Sequence, residues 1–400
     1  MATAIATSLS TQRQAIQLLP KRALRVLTVT PFYPSQQNPA SGCFIAEPLL
    51  EMKTHAVETD IIAVQPFYRD GARAISAEVS AKWHKYFSFP GNFGLPFTGT
   101  FAARSLIGQL REMHSQHAFH LIHAHSALPC GAAAMSLSQR LGIPFVVTVH
   151  GLDAYSTRQA GPVVGRWCES ISKRVYESAS AVICISDKVR GQVAQAADAR
   201  TVVVYNGVDT SLFSPGPELS PLRILSVGNL ILSKGHATLL QAFARIQPAN
   251  ADCAVEIIGA GPQRNELRHL AAKLGIADRV RFLGRQTRDE VAEAMRRCAV
   301  FALPSSYEGL GCVYLEAMAS GKPAIGCKGQ GIDEIVESGK NGFLVAPESE
   351  SELAETLIQL LRDKRLRQAL GMSAREAVLK RHSIARQAAE LAEVYRESAR

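Results

Sequence analysis

Short apolar runs rich in β-branched residues recur along almost the whole chain, each separated from the next by an amphipathic stretch. That alternation confines the fold to the α/β class, with parallel sheets whose crossovers are helices. The strand candidates of the first half are Leu24–Thr30, Asp60–Val64, Leu121–His125, Pro144–Val149, Ala181–Ile185 and Thr201–Tyr205. Those of the second half are Arg223–Val227, Ala254–Ile258, Val280–Leu283, Val300–Leu303, Pro323–Ile325 and Phe343–Val345. Many are apolar on both faces, as strands covered by helices on each side must be.

A chain of 400 residues exceeds what one hydrophobic core usually serves, so two domains are expected. Asn206–Leu222 carries Gly207, Pro215, Gly216, Pro217 and Pro221, a composition that sustains neither helix nor strand. The expected division is a loose tail over 1–22, a Rossmann-like N-terminal domain over 23–206, a linker over 207–222 and a C-terminal domain over 223–382. Ser349–Arg362, Lys364–Lys380 and Ser383–Ser398 have helical periodicity. The last lies beyond the final strand, so residues 383–400 are expected to cross back onto the first domain. Two doubly wound halves leave a cleft between them, with ligands at the carboxyl ends of the strands.

Composition narrows the class further. At 47% hydrophobic and 20% charged residues the chain is globular, and no apolar run approaches the roughly 18 residues of a membrane span. The N-terminus lacks the basic start and long apolar stretch of a secretory signal. Eight scattered cysteines without a C-x-x-C pair read as reduced thiols of a cytoplasmic protein rather than a disulfide framework or zinc site. His117, His120, His123 and His125 cluster in sequence, but no cysteine or carboxylate completes a ligand set, so no metal site is expected. A net charge of +9 implies an anionic partner: nucleic acid, an anionic membrane surface or a phosphorylated substrate. No basic helix or aromatic nucleic-acid motif supports the first. The segment 83–101 interleaves Trp83, Lys85, Phe87, Phe89, Phe93, Phe97 and Phe101. It fits either an anionic inner-membrane surface, where rings sit at headgroup depth, or packing on the first domain's own core.

The densest motif is Ser305-Ser-Tyr-Glu-Gly-Leu-Gly-Cys-Val-Tyr-Leu-Glu-Ala-Met-Ala-Ser-Gly-Lys-Pro323. It follows a strand and opens a helix near Gly311. Gly309 and Gly311 remove side chains where backbone N–H groups meet an anion, and the helix N-terminus adds a favourable dipole. A diphosphate suits such a turn. Glu316, within the helix, is placed to accept two hydrogen bonds from a ribose diol, and Glu308 to bind sugar hydroxyls.

The spacing of Glu308 and Glu316 resembles the E-x7-E signature of retaining glycosyltransferases of family 4, which have the GT-B fold. Ser226-Val-Gly-Asn-Leu-Ile-Leu-Ser-Lys-Gly235 is similar to the family's Gly-Arg-x4-Lys-Gly segment, and Ile257-Ile-Gly-Ala-Gly-Pro262 to its V-G-x-G-P. Phe282-Leu-Gly-Arg285, Tyr205-Asn-Gly-Val-Asp209, Phe32-Tyr-Pro with Ser41-Gly42, His123-Ala-His125 and Thr148-Val-His-Gly-Leu-Asp153 match further segments. The resemblance runs from about Leu24 to Arg386 and is most specific in the second half. It implies that Lys234 neutralises the donor diphosphate and that His150 meets the donor sugar, with Asp153 beside it. It also implies that Gly42 lies over the transferred sugar and that Gly259, Gly261 and Arg285 surround the nucleobase. Gly309, Leu310, Gly311 and Val313 complete the donor-binding turn. Asn229 departs from the family, which usually has arginine there. Asparagine donates a hydrogen bond without a charge, leaving Arg285 or Arg264 to compensate.

The expected activity is therefore retaining transfer of a hexose-type sugar from a UDP, GDP or ADP donor to a glycan or lipid-linked acceptor, with no cofactor, metal or nucleic acid. Two glutamates also suit a glycosidase, but a nucleoside diphosphate leaves without protonation, and Lys234 with the glycine turn favours transfer. A nucleotide-sugar epimerase and a non-catalytic nucleotide-sugar-binding protein of the same fold are the alternatives. Phe44-Ile-x-Glu47 after the Phe32-Tyr-Pro opening resembles bacterial enzymes of cell-surface polysaccharide assembly, cytoplasmic and peripheral to the membrane.

Overall fold

The computed structural model describes residues 23–36, 41–69, 81–151, 160–246 and 253–400. The tail over 1–22 lies outside them, as does Asp153.

The first half alternates strand and helix. Its elements are β1 (Leu24–Thr30), α1 (Cys43–Glu51), β2 (Val57–Pro66), β3 (Lys82–Tyr86), α2 (Thr98–Gln116), β4 (Leu121–His125), α3 (Ala132–Leu141), β5 (Phe145–Val149), α4 (Pro162–Ser178), β6 (Ala181–Cys184), α5 (Asp187–Ala196) and β7 (Thr201–Val203). The strands form one parallel sheet in the order β3-β2-β1-β4-β5-β6-β7. Every residue of β4, β5 and β6 is buried, which is why these read as unbroken apolar runs.

The second half repeats the plan with β8 (Leu222–Val227), α6 (His236–Ile246), β9 (Cys253–Ile258), α7 (Arg264–Lys273), β10 (Val280–Gly284), α8 (Arg288–Arg297), β11 (Val300–Ala302), α9 (Cys312–Ala319), β12 (Ala324–Cys327) and β13 (Gly342–Val345). Helices α10 (Glu350–Arg362), α11 (Lys364–Arg381) and α12 (Ile384–Ser398) follow. The second parallel sheet runs β10-β9-β8-β11-β12-β13. Both sheets reverse their winding beside their first strand, between β1 and β4 and between β8 and β11. Such a switch point opens a crevice at the carboxyl ends of the strands.

Two doubly wound Rossmann-like units are thus present, as the alternating pattern predicts. One strand was not expected: β3, whose Lys-Trp-His-Lys-Tyr sequence lies at the sheet edge with Lys82 and Lys85 exposed. An edge strand needs one buried face at most, so it carries no continuous apolar signal.

Helix α12 leaves the second unit and buries Ala388, Leu391, Ala392 and Tyr395 against Val26, Ile45 and Met52 of the first. The chain crosses twice at one place. Val208 N–H donates to the His382 carbonyl (2.9 Å), and Ile384 N–H to the Val208 carbonyl (3.3 Å). Gly207 passes so close to Ser383 that a Cβ would stand 2.5 Å from its carbonyl oxygen. These two crossings make a narrow hinge, which leaves the strand ends of the two sheets facing each other.

Candidate active site between the sheets

On the second unit, three strand exits are tied edge to edge. Gly228 N–H donates to the Ile258 carbonyl (3.0 Å), Leu230 N–H to Ala260 (3.0 Å) and Gly259 N–H to Gly284 (2.7 Å). A Cβ on Gly259 would lie 1.9 Å from the Gly228 carbonyl oxygen, and one on Gly261 2.4 Å from that of Leu230. Both glycines are therefore required by the crossing of the two loops, whatever ligand they meet. Asn229 and Arg285 stand exposed on this rim.

At the switch point itself, Leu232–Lys234 forms a single turn closed by Gly235. Ser306 N–H donates to the Ser233 carbonyl (2.9 Å), which lays the segment after β11 against that turn. Lys234 Nζ consequently reaches the Glu308 carboxylate at 2.5 Å, with both side chains largely buried. Gly311, at φ 86°, then starts α9 with no side-chain cap. Tyr314 N–H donates to the Gly311 carbonyl (3.0 Å), and the N–H groups of Cys312 and Val313 before it have no acceptor among the described residues. Leu310 is fully buried, so only its backbone can address a ligand, and Val313 is half-buried.

Glu316 lies farther along α9 and is 4% exposed. Its carboxylate accepts from Arg288 at the start of α8, and Arg288 also donates to Glu47 of α1, at 2.9 and 3.0 Å. One guanidinium thus joins the two units beside the residue proposed for a ribose diol.

The first unit brings its own strand ends to the same cleft. Gly42, at φ 73°, starts α1 directly over Phe32, leaving no room for a Cβ (2.6 Å to the Phe32 carbonyl). Phe44, two residues on, meets the His150 ring edge-on at 4.9 Å. His150 Nε2 shares a hydrogen bond with His125 Nδ1 (3.0 Å), and burial lowers the His150 pKa to about 4. The ring is therefore neutral at physiological pH. Its Nδ1 is buried with no hydrogen-bond partner among the described residues. The other histidines of the cluster serve separately: His120 accepts from the Arg25 N–H, and His123 bonds Tyr395 and Thr148.

The two halves close on one another at Gly309. A Cβ there would lie 2.6 Å from the His150 carbonyl oxygen, and Ser186 Oγ donates to the Gly309 carbonyl at 2.7 Å. Tyr307 donates to the Gly151 carbonyl. Glu334 accepts from the N–H groups of Asp187 and Lys188 at 2.8 and 2.7 Å, and Lys188 Nζ donates to the Gly329 carbonyl at 2.9 Å. Close contacts thus link His150 to Gly309, Lys234 to Glu308, and Glu316 through Arg288 to Glu47, while a small cavity lined by Phe44, His125, His150 and Asn206 lies on the first unit's side of the junction. Sequence reasoning missed Glu47, Ser186, Lys188, Tyr307, Arg288 and Glu334. Only Glu47 and Tyr307 lie inside a motif read above, and the contacts of all six were hidden because they form between segments far apart in the chain.

Comparison with known proteins gives the family and the fold. Residues 52–212 match the family model for Glycosyltransferase Family 4, and residues 209–377 match that for Glycosyl transferases group 1. An uncharacterized glycosyltransferase of Methanocaldococcus jannaschii is 32% identical over 257 residues, covering 64% of this chain and 69% of the relative. Sucrose-phosphate synthase from Thermosynechococcus elongatus has the same fold, with a TM-score of 0.77 at 20% identity over 94% of this chain and 98% of that one. Anabaena HepE, solved with UDP and glucose, gives 0.70 at 22% identity, over 93% and 99%.

Proposed function

The chain belongs to glycosyltransferase family 4 and has the GT-B fold, and on that premise we propose that it is a retaining enzyme that moves a hexose-type sugar from a nucleoside diphosphate to a glycan or lipid-linked acceptor. The observation that carries this reading is the meeting of the two switch points, with the Lys234–Glu308 pair and the uncapped start of α9 set across Gly309 from His150.

Each group has a part in such a transfer. Unpaired N–H groups at Gly311–Val313 and the Lys234 ammonium would hold the diphosphate and oppose the charge that grows on it as the glycosidic bond breaks. A compact ammonium on a flexible stem suits that task. Glu308, hydrogen-bonded to Lys234, would accept from sugar hydroxyls and keep the cation in register. His150, neutral because it is buried, has one donor and one acceptor nitrogen and is suited to orienting a hydroxyl rather than to delivering a proton. Its unpartnered Nδ1 supports contact with a polar ligand atom. In the retaining course, the acceptor hydroxyl attacks from the face the diphosphate leaves, and a phosphate oxygen takes its proton. With Lys234 supplying the positive charge, no metal or cofactor is called for. The acceptor reading places the enzyme in cell-surface polysaccharide synthesis, at the cytoplasmic face of the membrane.

A thermal-shift screen with UDP, GDP and ADP and their sugars identifies the donor, since a ligand at 100 times its Kd stabilises the folded state by about 2.7 kcal/mol. With that donor, Lys234→Ala and Glu308→Ala should each lower the transfer rate by about 10²–10³. Transfer at the wild-type rate by either variant would sink the assignment.

A further inference from the structure

A continuous plate of aromatic rings lies on the first unit, outside the site just described. Phe67, at the exit of β2, stacks on Phe87, at the exit of β3, with ring centres 5.6 Å apart. Phe87 meets Phe89 and Phe101 edge-on at 5.1 and 5.2 Å, and Phe97 meets Trp167 of α4 at 4.9 Å. Phe67, Phe87, Phe89 and Trp167 are 44–49% exposed, and Phe93 is 69% exposed. Contiguous exposed ring surface of this kind is uncommon on a soluble protein and marks an interaction site. The rings come from three separate stretches, so chance sequence clustering within 83–101 does not explain their assembly.

The charges nearest the rings in sequence are positive, with the exposed Glu112 and Glu169 just beyond them. Arg69, Lys82, Lys85, Arg104 and Arg166 are exposed, and the stretches 61–69, 81–111 and 160–168 contain no aspartate or glutamate at all. A sugar-stacking platform uses carboxylates or amides beside its rings to grip hydroxyls, and these stretches hold no carboxylate and only the exposed amides of Asn92 and Gln109 against the exposed cations just named. Rings at headgroup depth, flanked by a majority of cations, match an anionic bilayer better. Each cation near such a surface contributes on the order of 1 kcal/mol. We infer that this plate docks the enzyme on an anionic lipid surface. All strands of the sheet are parallel, so the exits of β2 and β3 share an edge with His125 and His150. Docking there would set the mouth of the cleft against the bilayer, where a lipid-linked acceptor presents its head. The inference rests on the transferase reading only for that purpose.

The test is co-sedimentation of the full chain with vesicles of phosphatidylcholine alone or of equal parts phosphatidylcholine and phosphatidylglycerol. Binding to the anionic vesicles alone is expected, weakening as salt is raised. Phe93→Ser, at a ring with high exposure, and the pair Lys82→Glu with Lys85→Glu should each lower partition at least tenfold. Their melting temperatures and nucleoside diphosphate shifts should stay at wild-type values. Equal partition of these variants, equal binding to neutral vesicles, or loss of a soluble oligosaccharide's binding in Phe93→Ser with vesicle binding intact would each overturn the proposal. If no nucleoside diphosphate binds the wild-type chain while anionic vesicles do, the transferase reading fails and the docking surface stands.

Discussion

His123 sits between two hydroxyls, with Tyr395 Oη and Thr148 Oγ1 each 2.7 Å from a ring nitrogen. Burial lowers its pKa to about 3, and lowers those of His150, His236 and His382 to about 4. In the unfolded chain each returns to about 6.5. As pH falls, the unfolded state therefore binds protons first. The stability these rings contribute is whole above about pH 6.5 and is lost progressively toward pH 4, where the folded rings protonate as well. The loss is about 1.4 kcal/mol per ring per pH unit below 6.5. Urea midpoints should thus drop steeply between pH 7 and 5. His123→Gln, whatever its effect at pH 7.5, should flatten the slope, and an unchanged slope would show that His123 is already charged in the folded state.

At the scale of elements, the turn that starts α9 is wedged from both sides. Gly309 abuts His150, and a Cβ on Gly331 would lie 1.9 Å from the Gly309 carbonyl oxygen. Gly331→Ala must push this turn toward the first unit. Overpacking of that kind costs roughly 1–3 kcal/mol, and a displacement near 1 Å of groups that hold reactants costs about 10² in rate. Gly339→Ala is the matched control, since Gly339 has φ 79° but open space where a Cβ would go. Steady-state kinetics should show Gly331→Ala losing transfer out of proportion to its melting shift, and Gly339→Ala losing some stability with its rate intact. Equal rates would mean that the turn does not position the donor. This wedge also shows where the sequence is readable. The strand, turn and helix that carry Gly309, Gly311 and the two glutamates were legible because they are local in the chain. The buried strands were legible because helices cover both faces. The edge strand β3, with its exposed lysines, was not, and Gly331 gave no sign of its part because Gly309, which it abuts, is distant in the chain.

At the scale of the whole molecule, the contact hidden most completely from sequence is the one between units. Arg288 of α8 binds Glu47 of α1 on one side and Glu316 of α9 on the other, and its guanidinium lies 4.7 Å over the Phe213 ring beyond the hinge. Burial pushes the Glu47 carboxyl pKa up, and Arg288 draws it back. A cation shared by a buried carboxylate and a partly buried one is indispensable in place, because removing it leaves both without a counter-charge. Arg288→Met should therefore destabilise the chain by about 3–5 kcal/mol, the cost of breaking a buried ion pair from one side. Adding Glu47→Gln removes one of the stranded charges and should recover part of that loss, so the double variant should melt above Arg288→Met. Strictly additive losses would mean that the two groups are independent and that the units are not joined through this guanidinium. A separate variant tests the ribose contact proposed for Glu316: Glu316→Ala should weaken a nucleoside diphosphate while leaving pyrophosphate affinity unchanged, because only the former presents a diol. Equal weakening of both would remove that role.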